Sequence, residues 1–328
     1  MILPPENRLT GLVTATFTPL HPDGSLNLDR IPALVEQLAA DGVAGLYVLG
    51  STGEGASLSS LERMAVAEAF VQAAKGRLTT VIQVGHNSIA EARNLAEHAQ
   101  MIGADAISAM PPSYFKANNG ALIGALAEIC RGAPALPCYY YHIPAMTGVE
   151  LDMAEFLAEA SERLPTLAGI KFSDCRLNEM DFCLRFGDGM YDVVFGIDEM
   201  LLSALVVGAR GAVGSTYGFA APLYLRIIRC FEEGDLVRGR DYQSRAAEMV
   251  RVILRHCGRA GLKAAMALIG HDCGPYRLPQ DTASREDVVR MANALEAIGF
   301  FDWGRNREAT RPAAQPLDAT AEAARSGA

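Results

Sequence analysis

Eight short apolar runs, each followed by a longer helical stretch, constrain this chain more than any other feature of it. The runs are 11–17 (GLVTATF), 44–50 (AGLYVLG), 79–84 (TTVIQV), 105–110 (DAISAM), 138–142 (CYYYH), 168–173 (AGIKFS), 191–196 (YDVVFG) and 211–215 (GAVGS). They are mostly continuously apolar. That suits parallel strands covered by helices on one side and facing a packed interior on the other. Eight β-then-α units predict an α/β fold, a (β/α)8 TIM barrel. A doubly wound sheet is the alternative, but its G-x-G-x-x-G fingerprint is missing. No glycine precedes a lysine, so there is no Walker A loop, and G-x-S-x-G and H-E-x-x-H are absent.

The intervening segments carry helix start and stop signals. Ser59-x-x-Glu62 and Ser88-x-x-Glu91 read as capping boxes, followed by Leu61, Met64 and Ala65, then Leu95, Ala96 and Ala99, at helical spacing. Gly103 and Gly208 end helices before the next strand. After the eighth unit, helical patterns over 235–257, 261–270 and 284–299 predict a C-terminal helical extension. The 328 residues therefore divide into a barrel over 1–232, helices packed on it over 233–303, and a tail over 304–328. The tail has no apolar face, and its composition predicts disorder.

Charge and cysteine content narrow the partners. The net charge is −9 and no basic run occurs, which argues against nucleic acid. The arginines look like solvated helix faces. Seven cysteines without a C-x-x-C pair read as reduced core residues. The N-terminus lacks a signal-peptide pattern, and no apolar run reaches the ~18 residues of a membrane helix. A cytoplasmic protein is the expectation.

In a TIM barrel the chemistry sits at the C-terminal ends of the strands. The second run ends in Gly50-Ser51-Thr52-Gly53-Glu54-Gly55, a loop whose hydroxyls and amides suit a carboxylate, or a plain βα turn. In the fifth, Tyr139 and Tyr141 share a face opposite Tyr140, either to present a hydroxyl or to fill the core. In the sixth, Lys171 and Ser173 alternate with Ile170 and Phe172, so Lys171 points into the barrel. The chain has only three other lysines, and they look superficial: Lys75 at a helix end, Lys116 in a loop and Lys263 near a helix start. Lys171 reads either as an internal ion-pair partner or as a Schiff-base nucleophile. A free lysine has a pKa of ~10.4, and desolvation lowers it by disfavouring the ammonium. The seventh run leads into Gly196-Ile197-Asp198-Glu199, either a polyol-binding pair of acids or a helix first turn. No histidine sits beside the pair, so no metal is expected there.

Together these strings resemble the N-acetylneuraminate lyase / dihydrodipicolinate synthase family of pyruvate-dependent class I aldolases, over residues 9 to 302. Gly50-Ser51-Thr52-Gly53-Glu54 resembles the family's G-[ST]-T-G-E loop, Tyr141-His142-Ile143-Pro144 its Y-x-x-P strand, and Lys171 falls at its Schiff-base position. The run Tyr139–Gly148, with Phe195–Glu199 and Gly214–Tyr217, is most similar to the family's lyase branch. The synthase branch typically carries an arginine after the Y-x-x-P proline, where this chain has Ala145-Met146-Thr147.

The resemblance implies that Lys171 and Tyr141 are catalytic. It implies that Ser51 and Thr52 bind the substrate carboxylate, and that Ser173, Gly196, Asp198, Glu199 and Ser215 line a sugar pocket. It further implies a homotetramer in which Tyr114 enters a neighbouring site, a sialic acid or related 2-keto acid substrate, and no metal or organic cofactor. Open alternatives are a 2-keto-3-deoxy sugar acid aldolase or dehydratase, a dihydrodipicolinate synthase-like enzyme, and a non-catalytic keto-acid sensor.

Overall fold

The computed structural model describes residues 1–304; the tail expected to be disordered lies, from residue 305 on, outside the described residues. The eight strands are β1 (Gly11–Ala15), β2 (Gly45–Val48), β3 (Thr79–Gln83), β4 (Ala106–Ala109), β5 (Cys138–His142), β6 (Leu167–Phe172), β7 (Asp192–Phe195) and β8 (Gly211–Gly214). They close in sequence order into one parallel barrel. Every strand falls within a run expected from the sequence, to within a residue.

Side-chain alternation splits the core in two. Val13, Tyr47, Val81, Tyr139, Tyr141, Val194 and Val213 fill the barrel interior. Tyr140, Ile170, Phe172 and Phe195 face outward into the larger cluster against the helices. Between β5 and β6 the register slips, with Cys138 opposite Leu167 but Tyr139 opposite Gly169. The extra residue, Ala168, sets the inward phase of the rest of β6, so Lys171 pairs with Tyr141 on one side and Val194 on the other.

The helix Ser60–Ala74 opens with a complete capping box: the Ser59 amide donates to Glu62 Oε2 at 2.9 Å and the Glu62 amide to Ser59 Oγ at 3.3 Å. At Ser88 only half of the box forms, because the Glu91 carboxylate is turned to the Ser60 hydroxyl at 2.5 Å. The face of Ser60–Ala74 differs from the sequence expectation. Leu61 is 79 % exposed, and the buried stripe is Arg63, Val66, Ala67, Phe70, Val71 and Ala74. Arg63 is thus no solvated arginine. It donates to the carbonyls of Gln83 (2.6 Å) and Gly85 (3.0 Å), which the end of β3 leaves without ladder partners.

The C-terminal helices Leu236–Cys257, Gly261–Leu268, Arg285–Ala297 and Phe300–Trp303 add Met249, Ile253, Met266, Leu295 and Phe300 to the outer cluster. The segment after Cys257 returns to the C-terminal end of β2. Arg259 donates to the Ser51 carbonyl at 2.9 Å, and the Arg277 amide to Glu54 at 2.7 Å. Among the described residues no helix is long and apolar enough to cross a membrane.

Candidate active site

Lys171 is 3 % exposed, inside the barrel near the C-terminal end of β6. Its Nζ lies 3.7 Å from the centre of the Tyr47 ring and 4.0 Å from that of Tyr141. The two rings meet edge to face at 5.6 Å. Among the described residues no carboxylate lies within 4.0 Å of the amine. Burial therefore pulls its pKa below the usual lysine value, with Tyr141 and Asp198 opposing that pull.

The loop after β2 faces this amine. The hydroxyls of Ser51 and Tyr141 lie 3.4 Å apart, and those of Thr52 and Ser215 2.6 Å apart, the latter bridging β2 to β8. The loop is bracketed by two non-glycine residues in the left-handed region, Leu49 (φ 64°) and Glu54 (φ 57°). Such backbone persists only where the surroundings over-determine it. A Cβ at residue 55 would lie 2.0 Å from the Leu49 carbonyl oxygen, so only glycine closes the turn.

On the other side, the Ser173 hydroxyl is buried and makes no hydrogen bond to any described residue. A Cβ at residue 196 would lie 2.0 Å from it, so Gly196 is what lets the ends of β6 and β7 approach. Asp198 accepts from the Thr216 amide (2.8 Å) and hydroxyl (2.6 Å), tying the loop after β7 to the end of β8. Glu199 comes next, half-buried, in the same short turn. Burial pushes the Asp198 carboxyl up to about 6. The folded state thus holds this proton more tightly than the unfolded chain does. The resulting stabilisation is complete below pH 4 and is lost as pH rises through 6, a swing of about 3 kcal/mol. Asp198→Asn is expected to remove that dependence, seen as a flatter urea-midpoint profile between pH 4 and 7.

Tyr114 stands apart from this group. It is 82 % exposed in the loop after β4 and edge-on to Phe115 at 5.0 Å, with its amide held by Asn87 Oδ1 at 3.3 Å.

Three features of the site are not apparent from the sequence pattern. Tyr47 sits inside an apolar run, and its inward phase, opposite to that of Leu46 and Val48, is the one signal that marks it. Lys263 is not superficial: it is 3 % exposed and pairs at 2.7 Å with the buried Glu54 carboxylate. The helix Gly261–Leu268 carries it under the loop that the sequence treats as substrate-facing. His142, next to Tyr141 but facing outward, is buried with its Nε2 3.5 Å from Asp174, and burial brings its pKa down to about 4. A separate groove of about 720 Å³ opens near Lys75, Arg77 and Asp105 at the N-terminal ends of β3 and β4 and contains none of these groups.

A closed parallel barrel with a desolvated lysine at its C-terminal mouth, facing a hydroxyl- and amide-bearing loop, has the architecture of a TIM-barrel enzyme. The chain belongs to the Dihydrodipicolinate synthetase family, whose model matches residues 8–298. The rat N-acetylneuraminate lyase is 40 % identical over 305 residues, covering 91 % of this chain and 95 % of its own. The Proteus mirabilis N-acetylneuraminate lyase structure superposes with a TM-score of 0.87 at 39 % identity, covering 89 % of this chain and 99 % of its own. A Ruminococcus gnavus sialic acid aldolase described as a catalytic lysine mutant superposes with a TM-score of 0.85 at 28 % identity, covering 90 % and 97 %.

Proposed function

We propose that this chain is a class I aldolase that cleaves N-acetylneuraminate reversibly to pyruvate and N-acetylmannosamine through a Schiff base on Lys171. The observation that carries the reading is the placement of Lys171: fully inside the barrel, without a carboxylate counter-ion, and against Tyr141. The substrate is inferred from the activity named for relatives about 40 % identical over nine-tenths of the chain.

In this reading the neutral Lys171 amine adds to the C2 ketone of the open-chain sugar acid, and loss of water leaves a protonated imine. The C3–C4 bond then breaks. Its electron pair moves into the imine to give a neutral enamine, while the C4 hydroxyl proton passes to the Tyr141 oxygen, which gave up its own proton to the water lost at C2, as the aldehyde forms. Protonation of the enamine at C3 and hydrolysis release pyruvate and restore the amine. Ser51 and Thr52 hold the carboxylate, and Ser173, Gly196, Asp198, Glu199 and Ser215 line the polyol chain. The imine is the electron sink, so no cofactor is required. A cytoplasmic homotetramer in which the exposed Tyr114 enters a neighbouring site completes the reading.

Steady-state turnover of N-acetylneuraminate against six-carbon 2-keto-3-deoxy acids tests the substrate. A kcat/KM at least about tenfold higher for the sialic acid is expected. Equal or better turnover of the shorter acids would assign the chain to the sugar-acid branch instead.

A further inference from the structure

We propose that Tyr47 is a third catalytic residue, beside Lys171 and Tyr141, whose ring face stabilises the cationic imine nitrogen formed on Lys171. This rests on the Schiff-base reading above. Tyr47 is 1 % exposed, on β2, the strand that leads into the Ser51–Thr52 loop. Its ring is the closer of the two to the reacting nitrogen, 3.7 Å against 4.0 Å for Tyr141.

The ring is fixed in that position. Its hydroxyl donates to Ser108 Oγ at 2.9 Å, and Ser108 Oγ donates to the Tyr139 carbonyl at 3.0 Å. This chain of bonds occupies the hydroxyl away from the amine, so Tyr47 offers Lys171 its π face. Burial raises the phenol's pKa well above its ordinary value, and Tyr47 stays neutral throughout.

A neutral π face discriminates between the states of the reaction. The nitrogen carries one positive charge in the imines of substrate and pyruvate, and none in the free amine or the enamine. With no carboxylate within 4.0 Å, the Tyr47 ring face adds its negative potential to that of Tyr141 and the more distant Asp198. Such contacts are strongest when desolvated. Tyr47 therefore favours accumulation of the imine.

The test is the pyruvate dependence of borohydride trapping on Lys171, read by intact mass and peptide mapping. Replacing Tyr47 with phenylalanine keeps the ring face and removes the hydroxyl. Mono-, di- and trifluorophenylalanine at the same position keep the shape and progressively drain the π electrons. The half-saturating pyruvate concentration is expected to change less than threefold in Tyr47→Phe. It should then rise stepwise with each fluorine, to about tenfold or more at trifluorophenylalanine. A flat fluorine series, or a Tyr47→Phe defect as large as that of the trifluoro variant, would overturn the proposal. Absence of a Lys171 adduct in the unmodified protein would instead overturn the Schiff-base reading itself.

Discussion

Lys171→Met is expected to lower sialic acid turnover by roughly a thousandfold or more, because it removes the atom to which the proposed mechanism joins the substrate. Unlike most core substitutions, it should not destabilise the fold. Met fills a similar volume, and the wild-type amine sits in the barrel without a carboxylate within 4.0 Å. The lysine pKa is depressed in the folded state by burial, so the unfolded chain binds this proton more tightly. Folding of the wild type is therefore opposed at neutral pH, and the opposition fades as pH rises toward the ordinary lysine value of ~10.4. Lys171→Met should melt at or above the wild-type temperature at pH 7, and the gap should close by pH 10. Borohydride with pyruvate should add mass to the wild-type peptide carrying Lys171 and none to the variant. Adduct formation at another lysine, or turnover within tenfold of wild type, would remove Lys171 from the chemistry.

The same lysine shows how far the sequence reaches. The phase of Lys171 is a period-two inference inside an apolar strand, and Ile170 and Phe172 do face the helices as that period requires. The strands were legible because each is a short, mostly apolar run set between longer helical stretches. The helix faces were less so. In Ser60–Ala74 the apolar residues surround the helix with no dominant stripe, and the contacts of Arg63 with the end of β3 decide which side is buried. Lys263 and Tyr47 share a different difficulty. Their partners, Glu54 and Lys171, lie more than a hundred residues away, and a charge near a helix start gives no local sign that it will meet a buried acid. Such pairings are products of barrel closure, not of local pattern.

Lys263→Met is expected to destabilise the protein by about 3–5 kcal/mol, since it leaves the Glu54 carboxylate buried beside an apolar side chain. The side chains of Lys263 and Glu54 are 3 % and 0 % exposed and 2.7 Å apart. Glu54 would keep the Arg277 amide at 2.7 Å. Glu54→Gln should cost less, about 1–3 kcal/mol, because Lys263 keeps the Pro275 carbonyl at 2.8 Å and burial already lowers its pKa, so it can release its proton. The double variant should recover most of the loss of Lys263→Met. That recovery would separate an unpaired buried charge from simple loss of packing. The functional consequence lies in the backbone. Glu54 is held at φ 57°, at the end of the Ser51–Thr52 loop, and the ion pair anchors that strained turn to the C-terminal helices. Slackening it should raise KM for sialic acid more than it lowers kcat, because in the proposed mechanism the loop binds the carboxylate and the imine forms on another strand. Urea midpoints and steady-state kinetics on the three variants decide the matter. An unchanged midpoint in Lys263→Met would mean that the pair contributes nothing to the fold. A fall in kcat with KM unchanged would place Lys263 closer to the chemistry than an anchor of the carboxylate loop.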